Sequence, residues 1–255
     1  MNLTRTRLGI LLFIAVFITG VFAFRYFSDT PPSSAKPHFK KVDCWFEIPE
    51  DAITCGHMWV PENREKQNSR LIRFPVAIYH TYPVLEAKPD PVVLLGGGGP
   101  GGPVGLDAES APFWGESFDW LLSTGRDLIM IDQRGVGLSH PRLSCPQIHE
   151  ASRRLLSENL DAESENRLLK RAARQCKNHL TNMQIDLSAY HTKSSAADIE
   201  DLRVALGYEQ WNLYGISYAG RLALAILRDF PGSVRSIILD SALPFEAHNP
   251  YGNKT

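Results

Sequence analysis

The chain has 255 residues, 44% hydrophobic and 22% charged, a composition that excludes disordered, fibrous and small disulfide-dominated proteins and leaves room for one or two ordinary domains. Its 27 Lys and Arg face 28 Asp and Glu, a net charge of -1. The surplus of positive charge that gathers a polyphosphate is missing, so no nucleic-acid partner is expected.

Leu8 to Phe24 is uncharged and largely apolar, preceded by Arg5 and Arg7 and followed by Arg25, which reads as a signal peptide or signal anchor. Val21-Phe22-Ala23 places an aliphatic and a small residue three and one positions before a cut after Ala23. If retained, the run just reaches the length that spans a bilayer. Residues 1–24 are therefore assigned to export, giving a periplasmic or extracellular protein that is either released or anchored to the membrane by residues 8–24. Residues 25–41, containing Thr30-Pro31-Pro32-Ser33-Ser34, read as an exposed linker, and 42–255 as the folded part.

The four cysteines, Cys44, Cys55, Cys145 and Cys176, lack the Cys-x-x-Cys spacing of zinc and redox sites, so no metal is expected. An even count behind an export signal favours disulfides. Of the three connectivities, Cys44 with Cys55 across a hairpin and Cys145 with Cys176 across a helical excursion is the one favoured.

From Val42 to Val60, two apolar stretches containing Trp45, Phe46 and Ile48, then Ile53, Met58, Trp59 and Val60, flank Pro49-Glu50-Asp51 and read as a hairpin. Arg70 to Tyr82 is a third predicted strand. Val92-Val93-Leu94-Leu95, Leu128-Ile129-Met130-Ile131, Trp211-Asn212-Leu213-Tyr214 and Ile237-Ile238-Leu239 are short apolar runs of the kind found in parallel strands buried on both faces. Between them, Ser195-Ala196-Ala197-Asp198 reads as a capping box, with Ile199, Leu202 and Leu206 at helical spacing up to Gly207. Tyr218 to Phe230 is a second helix. Leu168, Leu169, Ala172, Cys176 and Leu180 make one apolar stripe among many charges in 147–180, which predicts a helical insertion. Alternating strands and helices indicate an α/β fold with a doubly wound, mostly parallel sheet.

Three segments carry chemistry. Gly215-Ile216-Ser217-Tyr218-Ala219-Gly220 lies where a strand meets a helix. A nucleophilic serine belongs on such a turn, with small residues two before and two after it because strand and helix approach closely there. Leu95 to Gly102 is glycine-rich and offers backbone N–H groups suited to a developing oxyanion; without a following Lys-Ser or Lys-Thr it is not a phosphate loop. In Asp132-Gln133-Arg134-Gly135-Val136-Gly137-Leu138-Ser139, Asp132 and Arg134 read as a buried pair shaping the floor of a cleft.

Gly98-Gly99-Pro100-Gly101, Asp132-Gln133-Arg134-Gly135, Ala189-Tyr190-His191-Thr192 through Asp198, Leu202-Arg203, Leu206-Gly207-Tyr208 and Tyr214-Gly215-Ile216-Ser217-Tyr218 together resemble the α/β-hydrolases of the proline iminopeptidase and tripeptidyl aminopeptidase family, from about Val42 to Pro244. The resemblance implies exported serine peptidases that remove amino acids or short peptides from the free N-termini of peptide substrates without a cofactor. It places the nucleophile at Ser217 and the oxyanion hole at Gly99 and the N–H of Tyr218, with Gly98 nearby. Ala219 stands where the family more often has glycine.

A serine elbow needs a histidine base and an orienting carboxylate, in the order Ser, acid, His on this fold. In the family these arrive after later strands, beyond a helical cap inserted after the strand that here is Arg235 to Leu239. Asp240 and His248 are in suitable order but only eight positions apart, too close to occupy the usual loops. The chain thus reads as the N-terminal portion of the fold, truncated before the cap and last strands. Two classes of function follow: a serine exopeptidase represented by its nucleophile-bearing part, or a non-catalytic binding protein that keeps the elbow without its base.

Overall fold

A computed structural model describes residues 36–47, 52–97 and 102–243. The expected export segment 8–24, the glycines Gly98 and Gly99, and His248 lie outside these. Seven strands form one sheet in the order β1-β2-β3-β5-β4-β6-β7. The strands β1 (His38–Val42), β2 (Ile53–Pro61) and β3 (Leu71–Tyr79) are antiparallel neighbours, and β3 runs antiparallel to β5 (Leu128–Ile131). From β5 onward, β4 (Val92–Leu94), β6 (Trp211–Ile216) and β7 (Val234–Asp240) pair in parallel. Every residue of β4 and β5 is buried, the physical reason their sequences run apolar without alternation.

Helices cover both faces: α1 (Ala111–Ser117), α2 (Asp119–Leu122), α3 (Pro146–Ser157), α4 (Ala162–Asn182), α5 (Thr192–Leu206) and α6 (Tyr218–Asp229). Because side chains alternate along a strand, Val93 and Leu95 join Ile199 and Leu202 of α5 and Leu222 and Ile226 of α6 in one core, whereas Val92 and Leu94 join Ala111, Phe118 and Leu121 in the other. Each fully buried Leu or Ile here contributes about 1.5–3 kcal/mol relative to exposure. These two layers hold the strand ends, and hence the loops that follow β4, β5 and β6, in fixed register.

The predicted hairpin forms with a different first strand. Residues His38 to Val42 pair with Trp59 to Cys55, so the sheet begins inside the expected 25–41 linker, while Trp45 and Phe46 lie in the loop, where Phe46 is buried in the second core and Trp45 Nε1 donates to Leu106 O at 2.6 Å. β1 is an edge strand whose Lys40 and Lys41 face solvent, and such a strand carries no apolar run to read. Cys44 is joined to Cys55 with a Cα separation of 5.1 Å, and Cys145 to Cys176 with 5.3 Å. The second bridge pins the start of α3 to the middle of α4. The helical insertion is this pair of helices, and its stripe is buried only at Ala172, Cys176 and Leu180, with Leu169 left exposed.

The expected capping box is absent. α5 begins four residues earlier, at Thr192, and His191 caps it by accepting the Ser194 N–H on Nδ1 at 3.2 Å. Ser195 and Asp198 are buried inside the helix, where Asp198 has another use.

Candidate active site

The end of β6 turns into α6 through Ser217, whose backbone lies at φ 55°, ψ -120°. For a residue with a Cβ this is a strained conformation, held only when its surroundings over-determine it. They do: Ser217 N donates to Asp240 O at 2.9 Å, and Ser217 O accepts from Gly220 N and Leu243 N, each at 3.1 Å. The close approach of strand and helix is visible at Gly215, where an added Cβ would sit 2.6 Å from the Ala219 carbonyl oxygen. Gly220, which the sequence reading did not single out, is under the same constraint, since a Cβ there would collide with Ala242. Ser217 is exposed and its side chain makes no capping bond to the helix it precedes. The hydroxyl is therefore presented to solvent at the C-terminal end of an interior strand, one in from the edge strand β7.

Neighbouring groups assemble around it. β4 lies directly beside β6, with Leu95 N bonded to Tyr214 O at 3.0 Å, so the glycine-rich segment starts next to the elbow. An added Cβ on Gly97 would come 3.3 Å from Ile216 O, and Gly96, at φ +68°, turns the chain over Val104. Tyr218 is the first residue of α6, where helix geometry leaves the backbone N–H without an intrahelical partner. Its ring is buried and its hydroxyl hydrogen-bonds Thr192 Oγ1 at 2.9 Å.

Asp132 and Arg134 are both buried, but they do not pair with each other. Asp132 accepts the backbone N–H groups of Val104 at 2.9 Å and Leu138 at 2.8 Å, tying the loop after β4 to the loop after β5. Burial pushes its carboxyl above the usual range, against the downward pull of those N–H groups. Any side chain at Gly137 would collide with the Asp132 carboxylate. Arg134 instead forms a two-pronged bond with Asp198, Nε to Oδ2 at 2.6 Å and Nη2 to Oδ1 at 2.5 Å, and donates Nη1 to the carbonyls of Glu62 at 2.7 Å and Ala189 at 2.8 Å. Arg64 reaches the same Asp198 at 2.5 Å. Beside them, buried Glu62 accepts from Arg70 Nε at 2.8 Å and from the Tyr190 hydroxyl at 2.9 Å; burial, then the Glu62 charge, hold that phenol well above its ordinary range. The expected pair is thus replaced by a larger network whose members come from the loop after β2, the loop after β5, and α5 with the segment just before it. Sequence reading missed it because partners so far apart in the chain leave no local pattern.

At the end of β7, Asp240 accepts from the Tyr214 hydroxyl at 3.3 Å and from Ser241 Oγ at 3.0 Å. Among the described histidines, His80 bonds Thr54 and Asp127, and His191 is engaged in the cap of α5.

A strained serine on a strand-to-helix turn, beside a glycine-rich strand end, is joined by a match of residues 90–252 to the family model for the alpha/beta hydrolase fold. The chain belongs to the α/β-hydrolase fold family. This α/β hydrolase is 28% identical over 227 residues to the serine protease Hip1 of Mycobacterium tuberculosis strain H37Rv, covering 84% of the chain and 39% of that protein. It is 28% identical over 202 residues to the tripeptidyl aminopeptidase of Streptomyces lividans, covering 75% of the chain and 35% of the relative. Among solved structures it is similar to an esterase from Exiguobacterium antarcticum, with a TM-score of 0.41 at 17% identity over 76% of this chain and 49% of that one. The chain spans about two fifths of the length of the curated relatives it matches, 40% and 39% for the first two.

Proposed function

We propose that this α/β hydrolase is the nucleophile-bearing part of an exported serine peptidase of aminopeptidase type, which releases residues or short peptides from peptide N-termini through an acyl-enzyme at Ser217. The observation that carries the reading is the φ 55°, ψ -120° backbone of an exposed Ser217 between β6 and α6. The 28% identity to a serine protease and a tripeptidyl aminopeptidase supports the substrate class. The two disulfides are consistent with an oxidising compartment.

In this reading Ser217 Oγ attacks the scissile carbonyl as its proton passes to a histidine. The N–H of Tyr218 and that of Gly99 receive the oxyanion, and the amine leaves with the proton before water hydrolyses the ester. No described histidine is hydrogen-bonded to Ser217, so we propose that the 255-residue polypeptide by itself has little or no peptidase activity: without a base the hydroxyl keeps its proton and is a weak nucleophile. A fluorophosphonate probe tests this. We expect no labelling of the purified 255-residue chain, and labelling lost on Ser217→Ala in a form extended past Thr255 that supplies an acid and a histidine. Stoichiometric labelling of the 255-residue chain, abolished by Ser217→Ala and by His248→Ala, would overturn the inactivity. An extended form that supplies both groups yet stays unlabelled would favour a non-catalytic binding protein instead.

A further inference from the structure

A cavity of about 490 Å³ adjoins the elbow, bounded by the loop after β5, the segment 142–149 and the starts of α5 and α6. Its size lies in the range of small-ligand sites. Three helices begin at its wall: Cys145 caps α3, His191 caps α5 and Tyr218 opens α6, and all three residues line it. Each helix start carries a partial positive charge and N–H groups without intrahelical partners. Convergence of three makes the interior electropositive before any side chain is counted.

The side chains add to this. Arg134, Arg142, His149 and His191 line the cavity, and no lining residue is Asp or Glu. Arg134 is neutralised by Asp198. Arg142 has no ion pair or side-chain hydrogen bond among the described residues, and its backbone is fixed by a bridge to Gly135 and the Leu143 N–H to Gly135 O bond of 2.8 Å. The Cys145–Cys176 bridge fixes the other end of the same segment. Ser195 is 6% exposed, lines the cavity, and its hydroxyl has no partner among the described residues. An unpartnered hydroxyl on a buried residue, facing a space lined by the exposed, unpaired guanidinium of Arg142 and by no carboxylate, is a donor set suited to an anion.

We propose that this cavity is a carboxylate subsite of the hydrolase, taking an acidic side chain or a terminal carboxylate of the bound peptide, with Arg142 as its charge partner and Ser195 as a neutral donor. The assignment rests on the peptidase reading for its ligand. An ammonium group is less suited to it, since no carboxylate lines the wall to offset a positive charge.

The test is binding, followed by the ring resonances of His149 and His191 in the 255-residue chain. Four acetylated tripeptides serve as probes: Ala-Ala-Ala acid, Ala-Ala-Ala amide, Ala-Asp-Ala amide and Ala-Asn-Ala amide. We expect one or both carboxylate peptides to bind at least about tenfold more tightly than their neutral counterparts, the gain of one charge-assisted hydrogen bond. The acid over its amide identifies a terminal carboxylate; Asp over Asn identifies a side chain. Arg142→Gln should remove that preference and Arg142→Lys should retain part of it, while Ser195→Ala weakens all four probes. Equal binding of all four, a preference unaltered in Arg142→Gln, or inorganic phosphate binding more tightly than either carboxylate peptide would overturn the proposal. Failed labelling of an extended form with the carboxylate preference intact refutes the peptidase reading alone, and lost carboxylate preference with labelling intact refutes the subsite alone.

Discussion

Asp198 holds two guanidinium groups inside the protein, and its replacement by Asn measures what that carboxylate contributes. The side chains of Arg134 and Asp198 are 1% and 3% exposed, and that of Arg64 is 27% exposed. In Asp198→Asn, Arg134 keeps its bonds to the Glu62 and Ala189 carbonyls but loses the charge that offsets its desolvation. Removing one partner of a buried pair costs about 3–5 kcal/mol; the retained carbonyl bonds argue for the lower end, about 3 kcal/mol. With a urea m-value of about 2–3 kcal/mol/M for a protein of this size, the unfolding midpoint should fall by about 1–1.5 M. Asp201→Asn is the control, because Asp201 pairs with the more accessible Arg64 at 2.7 Å, with both side chains 27% exposed, and such pairs contribute about 1 kcal/mol or less. Matched urea melts at neutral pH decide the matter. If Asp198→Asn shifts the midpoint no further than Asp201→Asn does, the buried network is not a stabilising element and the reasoning fails.

Gly215→Ala should destabilise by about 1–3 kcal/mol, since the added Cβ meets backbone atoms of Ala219 and Gly220 rather than movable side chains; a melt within 0.5 kcal/mol of the parent, an estimate of ordinary surface scatter, would show that the elbow is looser than its contacts imply. Burial opposes ionisation of Asp127, but the His80 ring and the Thr81 N–H outweigh it and lower the carboxyl below its ordinary value. The resulting stability is therefore present above the unfolded value of about 4 and is lost as pH falls through the folded one, and Asp127→Asn should flatten the urea midpoint across that acid window. For the disulfides, non-reducing peptide mapping of protein produced in an oxidising compartment should recover Cys44 with Cys55 and Cys145 with Cys176, and four alkylatable thiols would contradict it. On loop length alone the Cys145–Cys176 bridge, closing a separation of 31 residues against 11, should contribute about 1 kcal/mol more than the other.

What was legible in the sequence is what burial writes into it. β4 and β5 are enclosed on both faces, so their apolar runs could mean little else, and the requirement for small residues at Gly215 and Ala219 is steric and local. β1 was misplaced because an edge strand with Lys40 and Lys41 toward water satisfies its backbone through β2 without needing an apolar signature. The apolar Trp45 and Phe46 drew the strand toward themselves, although their burial comes from folding back over the second core. Asp198 was misread for a related reason. Three residues after a serine it matches a capping pattern, yet α5 is capped by His191 and the carboxylate serves an arginine 64 positions away, a partnership no window of local sequence contains.

That long reach has a kinetic side. Arg134 joins carbonyls 72 and 55 residues away in the chain, and a carboxylate 64 away, so its bonds can close only after the loop following β2, the loop following β5, and α5 with the segment before it have come together. Loop-closure entropy makes such contacts expensive in a partly folded chain, and the guanidinium must remain hydrated until its acceptors are positioned. The network is therefore expected to form after the transition state. Weakening it should leave the folding rate nearly unchanged and accelerate unfolding, which makes this buried cluster a latch on the lifetime of the folded protein.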